Sequence, residues 1–193
     1  MSPLPNADAY PKTIMLRDGT RVELRPLEDG DKIRLLHFFE RVPEADRYFL
    51  KENVTAPEVI QSWVTRIDFE RVIPIVAVVD DQIVGDATLH RSRAPARRHV
   101  GEIRVVVEPE YREKGLGRRL IRELLDIAVE LGLYKASFEL VAEREKAAIV
   151  AAESVGFQEV ARLNGWVRDI WGNYQDTVVL ELPLKEHKEW WRF

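Results

Sequence analysis

The sequence predicts an α/β fold, a mixed and mostly antiparallel central sheet of about seven strands flanked by about four helices. Three observations predict it. Strand-like runs joined by tight-turn signals stand at both ends of the chain, around Asp18-Gly19 and around Gly172-Asn173. Helical spacing of apolar residues occupies the interior, most plainly at Leu120, Leu124, Ala128 and Leu131. Between them the β-branched run Val105-Val106-Val107 leads through a basic, glycine-bearing turn into that same helix. A strand, a turn and a helix in this order build one right-handed crossover between parallel strands.

Each element has its own warrant. Met1 to Lys12 carries three prolines and few apolar residues, so it reads as a loose lead-in. Thr13–Leu16 and Arg21–Leu27 form a hairpin across Asp18-Gly19. Asp31 to Arg41 places apolar residues at 33, 35, 36, 38 and 39, as a helix does. Pro57 opens a second helix at its first position, with Thr55 as a nearby cap and Val59, Ile60, Trp63 and Ile67 as the apolar stripe. Arg71–Asp80 and Gln82–Arg91 form a second hairpin around Asp80-Asp81. Ser92 to Arg98 is a basic loop, and His99–Val107 a buried strand. A helix from Gly117 to Leu131 ends at Gly132. Tyr134–Val141 is a strand, and Glu143–Val155 an alanine-rich helix ended by Gly156. Phe157–Ile170 and Gln175–Leu182 pair as the last hairpin. The expected organisation is a lead-in (1–12), one domain (13–183) and an aromatic tail (184–193).

Composition bounds the function. With 193 residues, 46% of them hydrophobic, the chain has the apolar mass for one well-packed domain. The formal net charge of −4 argues against a general nucleic-acid binder. There is no cysteine, which excludes disulfides, thiolate metal sites and a cysteine–acyl intermediate. The longest apolar run, Val72 to Val79, is too short to span a bilayer and contains Pro74. No spacing of His, Asp and Glu suggests a metal. Met1 to Pro11 lacks a signal-peptide pattern, so the expectation is a cytoplasmic protein without membrane or nucleic-acid partners.

Arg112-Glu113-Lys114-Gly115-Leu116-Gly117-Arg118 is the most informative stretch. Main-chain N–H groups at such a helix start can converge on one anion, and two residues without Cβ let a phosphate come close. A Walker A loop would need Lys then Ser or Thr after the second glycine, where Arg118 and Arg119 stand. A dinucleotide fingerprint would need a small residue at Leu120. What remains, Arg-x-x-Gly-x-Gly behind an apolar strand, resembles the acetyl-CoA loop of the GCN5-related N-acetyltransferases (GNAT). Further segments resemble the same family. Val22-Glu23-Leu24-Arg25-Pro26-Leu27 with Asp29 and Asp31 looks like its first strand and the start of its first helix. Ile83 to Leu89 looks like its third strand, Glu102 to Val107 like its fourth, and Val155-Gly156-Phe157 like the end of its last conserved helix. The opening Gly19 to Pro26 slightly resembles bacterial protein-lysine acetyltransferases.

The resemblance implies an acetyl-CoA-dependent N-acetyltransferase acting on a primary amine by direct attack in a ternary complex. It implies that main-chain groups around Val105, Val106 and Val107 hold the pantetheine arm, and that Arg112 to Arg118 hold the pyrophosphate. It also implies Glu102 as catalytic base, because some protein-lysine acetyltransferases of this superfamily carry a glutamate at the matching place. The ordinary alternative for Glu102 is an ion pair with Arg104, which shares its strand face. One departure stands out. Where many members carry a tyrosine acid, four residues before the glycine of Gly-Phe, this chain has Ala152, and the usual asparagine at the helix start is Glu145. Ser154 and Tyr174 are the alternative donors, and a non-catalytic acyl-CoA-binding module is the alternative function. The acceptor is a small molecule or a protein lysine. The tail Glu189-Trp190-Trp191-Arg192-Phe193 is expected to pack on its own domain or to cover a homodimer partner.

Overall fold

The structure is a computed structural model and describes Leu4 and residues 7–184. The aromatic tail from 185 onward, including Trp190 and Trp191, lies outside the described residues. Eight strands form one sheet in the order β1-β2-β3-β4-β5-β6-β8-β7. They are β1 (Lys12–Met15), β2 (Arg21–Pro26), β3 (Val72–Val79), β4 (Gln82–Arg91), β5 (Val100–Val107), β6 (Lys135–Val141), β7 (Gln158–Arg168) and β8 (Tyr174–Pro183). Every neighbouring pair is antiparallel except β5 and β6. The helices are α1 (Lys32–Arg41), α2 (Glu44–Arg47), α3 (Pro57–Thr65), α4 (Leu116–Glu130) and α5 (Lys146–Glu153).

The pleat divides the core in two. Leu24, Ile73, Ile75, Ala77, Ala87, Leu89 and Ile103 face α4, whose Leu116, Leu120, Leu124 and Ala128 cover them. Val76 and Ile83 face the opposite way and pack with Leu35, Phe38 and Phe39 of α1 and Ile60 and Val64 of α3. Alternation alone would send Ile83 and Asp86 to opposite faces. A bulge prevents this. Ala77 pairs with Gly85 and Val78 with Ile83, so Val84 has no partner on β3. The extra residue shifts the phase, and Ile83 and Asp86 both turn toward the α1–α3 layer. The Ile83 carbonyl beside the bulge accepts Arg41 Nη2 at 2.7 Å, while Arg41 Nε donates to buried Glu108 at 2.8 Å.

The element readings carry over with local differences. α2 is a single turn with no apolar stripe to announce it. Thr55 does not cap α3; Ala56 holds that position, and the Thr55 hydroxyl bonds Asn53 instead. Part of the expected lead-in is tied down, since Leu4 is buried in the core and Tyr10 and Lys12 both hydrogen-bond Glu123.

The start of α1 is held by charge. Asp31, 1% exposed, takes both terminal nitrogens of Arg25 at 2.6 and 2.7 Å and the Glu28 N–H at 2.9 Å. Burial opposes its charge, but these donors outweigh it and hold the carboxyl below its usual range. Asp31→Ala would strip half-buried Arg25 of its bidentate partner, leaving it the Pro26 carbonyl at 3.1 Å and Glu23 at 3.8 Å. Its urea unfolding free energy is expected to fall by about 3 kcal/mol or more, as when one partner of a buried pair is removed.

Candidate active site

β5 and β6 pair only at Val100, Gly101 and Glu102, opposite Lys135, Ala136 and Ser137, and then part. Beyond that point β5 keeps β4 as far as Val107, and β6 keeps β8 as far as Val141. The Glu108 N–H bonds Val84 on β4, so by alternation the even-numbered residues of β5 address β4. Val105 and Val107 therefore turn their main-chain groups into the gap. The Ala142 N–H goes to Asp176, which by the same reasoning aims Glu139 and Val141 into the gap from the other side. Side chains cap the mouth. Arg112 Nε donates to the Val107 carbonyl at 2.9 Å, and the Glu145 carboxylate accepts the Val141 N–H at 2.6 Å. Asp46 of α2 joins the two rims, with Arg112 at 2.8 Å on one oxygen and Arg144 at 2.6 Å on the other. Burial pushes the Glu145 carboxyl up to about 7.

The basic turn closes this mouth. Glu113 and Gly115 both adopt positive φ, 60° and 94°, which swings the chain into α4. The first helical bond at this end is Arg119 N–H to the Gly115 carbonyl, so the N–H groups of Leu116, Gly117 and Arg118 lack helical acceptors. No side chain caps them. Arg118 has no ionic partner among the described residues. Lys114 is paired with Asp18 at 2.9 Å. Arg112 is engaged by Asp46 and Val107, and its own N–H bonds Pro109. Leu116 is fully buried, its main chain included, so the accessible N–H groups are those of Gly117 and Arg118. Arg17, which the sequence does not single out, lies beside the turn. Its Nε is 3.7 Å from where a Cβ on Gly115 would stand.

On the α1–α3 face of the sheet, next to the gap, lies a cavity of about 470 Å³. Phe39, Leu50, Trp63, Ile67 and Val106 give it apolar walls, and Asp86, Thr88, His90 and Arg104 come from β4 and β5. Val106 thus contributes its side chain here, whereas its main chain pairs with β4. Glu102 stands at the edge of this group, opposite His90 in the β4–β5 register. Its Oε1 accepts Lys51 at 2.6 Å and Arg104 at 2.9 Å. Burial works against its charge, but those two donors hold its pKa below the usual value. Its Oε2 has no partner among the described residues. His90 bonds the Thr88 hydroxyl at 2.9 Å, and burial, then the charge of Arg104, lower its pKa to about 4, so the ring is neutral.

Asp86 is the group that sequence reasoning misses. It is 9% exposed, lines the cavity, and has no hydrogen-bond partner among the described residues. Burial alone raises its pKa to about 7. An isolated aspartate inside an apolar strand, in phase with Thr88 and His90, is the available signal, but the cavity over it depends on α3 and the segment before it and cannot be read from the sequence. The alternative acids fall elsewhere. Ala152 is fully buried, the Ser154 hydroxyl is turned onto the Ala151 carbonyl, and Tyr174 is 75% exposed on the last hairpin. Among the described residues no group of three or more His, Asp or Glu is placed to hold a metal, and no helix is long and apolar enough to cross a membrane.

The chain has counterparts among known proteins. Residues 36–157, more than half of the chain, match the Acetyltransferase (GNAT) family. The chain belongs to that family. An acetyltransferase of Pseudomonas aeruginosa is 30% identical over 116 residues, 58% of this chain and 62% of its own. The Escherichia coli enzyme that acetylates the alanine of ribosomal protein bS18 is 31% identical over 80 residues, 42% of this chain and 53% of its own. The matched stretches thus span little more than half of these GNAT relatives. A Salmonella typhimurium protein solved with its cofactor acetyl-CoA superposes with a TM-score of 0.72 at 21% identity, over 86% of this chain and 95% of its own. The ribosomal-protein-S5-alanine acetyltransferase of Vibrio fischeri gives 0.74 at 15% identity, over 91% and 98%. At these identities the two structures establish the shared fold.

The burial of Asp86 has a measurable consequence. Its pKa is about 7 folded against an ordinary value of 3.8, so the folded state binds the extra proton between those values. Stability contributed by this site therefore falls as pH rises from about 4 to about 7, and the cost of the buried charge persists above. Asp86→Asn removes that cost. The variant is expected to match the wild type near pH 4 and to exceed its Tm by about 5 °C or more at pH 8, by calorimetric scans at both pH values.

Proposed function

We propose that this GNAT protein transfers the acetyl group of acetyl-CoA to a primary amine by direct attack in a ternary complex. The observation that carries the reading is the parted edge of β5 and β6, which runs from the anion-ready start of α4 to the cavity beside Arg104. A pantetheine arm bears two amides. Val105, Val107 and Glu139 face the gap with main-chain donors and acceptors that such amides satisfy. The N–H groups of Gly117 and Arg118, with the charges of Arg118 and Arg17, suit a diphosphate. Arg112 supports the turn from behind, through Asp46 and Val107.

The arm then delivers its thioester to the α1–α3 face, where the cavity takes the amine. Strand-edge N–H groups at the gap polarise the thioester carbonyl. In this reading Glu102 is the proton acceptor at the rim, through its unbonded Oε2 and a chain of waters along the cavity. Lys51 and Arg104 keep it ionised throughout the neutral range, so it is always ready to accept, though it is a weak base. The bS18-alanine and amino-acid acetylating relatives act on amines of quite different size. The acceptor here is a primary amine that fits the cavity. Residues 13–183 form the catalytic unit in this proposal.

Two variants test the parts separately. A Cβ at Gly117 would meet only Val107 Cγ2, at 3.9 Å, so a larger side chain is free to fill the mouth without disturbing the core. Gly117→Trp is expected to keep its Tm within about 3 °C while acetyl-CoA affinity by calorimetry falls roughly 100-fold or more. Glu102→Gln should bind acetyl-CoA normally but release thiol about 100-fold more slowly with a responsive amine, within the span of general-base effects. Tight CoA binding with no turnover on any amine, in wild type and variant alike, would instead indicate a non-catalytic acyl-CoA-binding module.

A further inference from the structure

We propose that Asp86 binds the ammonium of the acceptor and takes its first proton, and that the acceptor is a compact primary amine with an apolar body and a single positive charge. This rests on the acetyl-transfer reading and deepens it. Asp86 is a carboxyl more than nine-tenths buried, without a partner among the described residues, on the wall of a cavity large enough for a small molecule. Its carboxylate oxygens reach the cavity and no protein group satisfies them, so water or a ligand in the cavity must. Asp86 shares the strand face of Thr88 and His90, which opens on the cavity, and its cross-strand neighbours are Val76 and Val106. These apolar neighbours supply no donor. An ammonium is the group that completes the site.

The surrounding charges narrow the ligand. On the same strand, His90 is neutral. On β5, Arg104 is engaged by Glu102. Ahead of α3, Lys51 is also engaged by Glu102, and Glu52 accepts the Trp63 indole N–H. Behind α3, Asp68 faces Arg93 at 3.7 Å, while Arg66 and Arg71 have no ionic partner among the described residues. The rim is therefore cationic and the interior holds one carboxylate. A polyamine would carry surplus positive charge past Arg66 and Arg71. An amine with one charge would place it on Asp86 and its apolar body against Phe39 and Trp63, whose rings meet edge-on at 6.0 Å.

The chemistry balances. Asp86 carboxylate takes one proton from R–NH3⁺, leaving a lone pair on nitrogen. That pair forms the C–N bond to the thioester carbon, and the C–S bond breaks to release CoA thiolate. The nitrogen sheds its second proton through water to Glu102, the thiolate takes one proton from solvent, and one proton is released per turnover. A lysine-type ammonium sits near 10.4, so an ordinary aspartate would be a far weaker acceptor than one raised to about 7.

The test uses the whole chain saturated with CoA, and phenethylamine, 2-phenylethanol and spermidine as probes at pH 8. Wild type is expected to bind phenethylamine, and Asp86→Asn to weaken it roughly 10- to 100-fold, as for loss of a charged hydrogen bond. Phenylethanol should bind both proteins alike, and spermidine should bind the wild type more weakly than phenethylamine. With acetyl-CoA, wild-type kcat/KM should climb with pH to a plateau above about 7, a limb that Glu102→Gln keeps and Asp86→Asn loses. Phenethylamine binding to Asp86→Asn within about threefold of wild type, or a limb that survives in it, would overturn the proposal. Spermidine binding as tightly as phenethylamine would overturn the single-charge class. Asp86-dependent amine binding without any acetyl transfer by the wild type would sink the transfer reading and leave the amine site standing.

Discussion

The separation of β5 from β6 is the constraint on which the rest of the structure depends. A sheet gains by pairing every interior edge, and two parallel strands that part abandon that gain along half their length. The fold tolerates this because each strand keeps its outer partner, β4 for one and β8 for the other. It also covers the exposed ends with side chains. Arg112 takes the Val107 carbonyl, Glu145 takes the Val141 N–H, and Asp46 ties the two rims together. What stays open is the middle of the edge, too short to recruit another strand but long enough for a chain with two amides. The same parting starts α4 at the mouth of the gap, so its unpaired N–H groups and the open strand edge share one line.

Charge follows from this geometry. The α4 face of the sheet is apolar over its centre, because a long amphipathic helix lies flat on it, and only at the β1 edge does Lys12 meet Glu123 of that helix. The α1–α3 face is not sealed. α3 is short, the segment before it is irregular, and a cavity remains over β4 and β5. Asp86, Thr88, His90 and Arg104 line it. Of the carboxylates on that face, Glu102 stands between two cations and Asp86 stands alone, so one environment lowers a pKa and the other raises it. The two groups are four positions apart along paired strands, roughly 13 Å, which suits a relay with an internal and a rim station better than one shared base.

Much of this is legible in the sequence. The strands, α1, α3, α4 and α5 follow from apolar period, Pro57, Gly132 and Gly156, because these are local signals. The anion-binding turn follows from Gly115 and Gly117 for the same reason. Glu102 and Arg104 are expected neighbours because alternation puts them on one face, and they do pair; Lys51 is not, since the loop that brings it across has no periodic pattern. The bulge at Val84 escapes because a bulge depends on the register of a partner strand. Asp86 shares the phase of Thr88 and His90, so its face is legible, but nothing local marks the cavity over it. Asp46 and Arg17 escape likewise: each reaches the site through tertiary contacts that neither neighbouring residues nor composition encode. The aromatic tail lies outside the described residues.

The missing tyrosine bears on how little chemistry such a site needs. Ala152 is fully buried in the α4 side of the core, and its methyl group has no proton to give. The group that leaves is a thiolate, far more stable than an alkoxide, and it can depart before it is protonated. Acid assistance is worth about 10²–10⁴-fold, whereas holding two reactants in line is worth roughly 7–11 kcal/mol. Alignment is the greater contribution, and this fold supplies it through a rigid open edge for the thioester and a walled cavity for the amine. The harder proton is the one on the ammonium, and that is where the chain has placed a buried carboxylate. A site that gives up the acid and strengthens the base concentrates its polar groups on the step with the higher barrier.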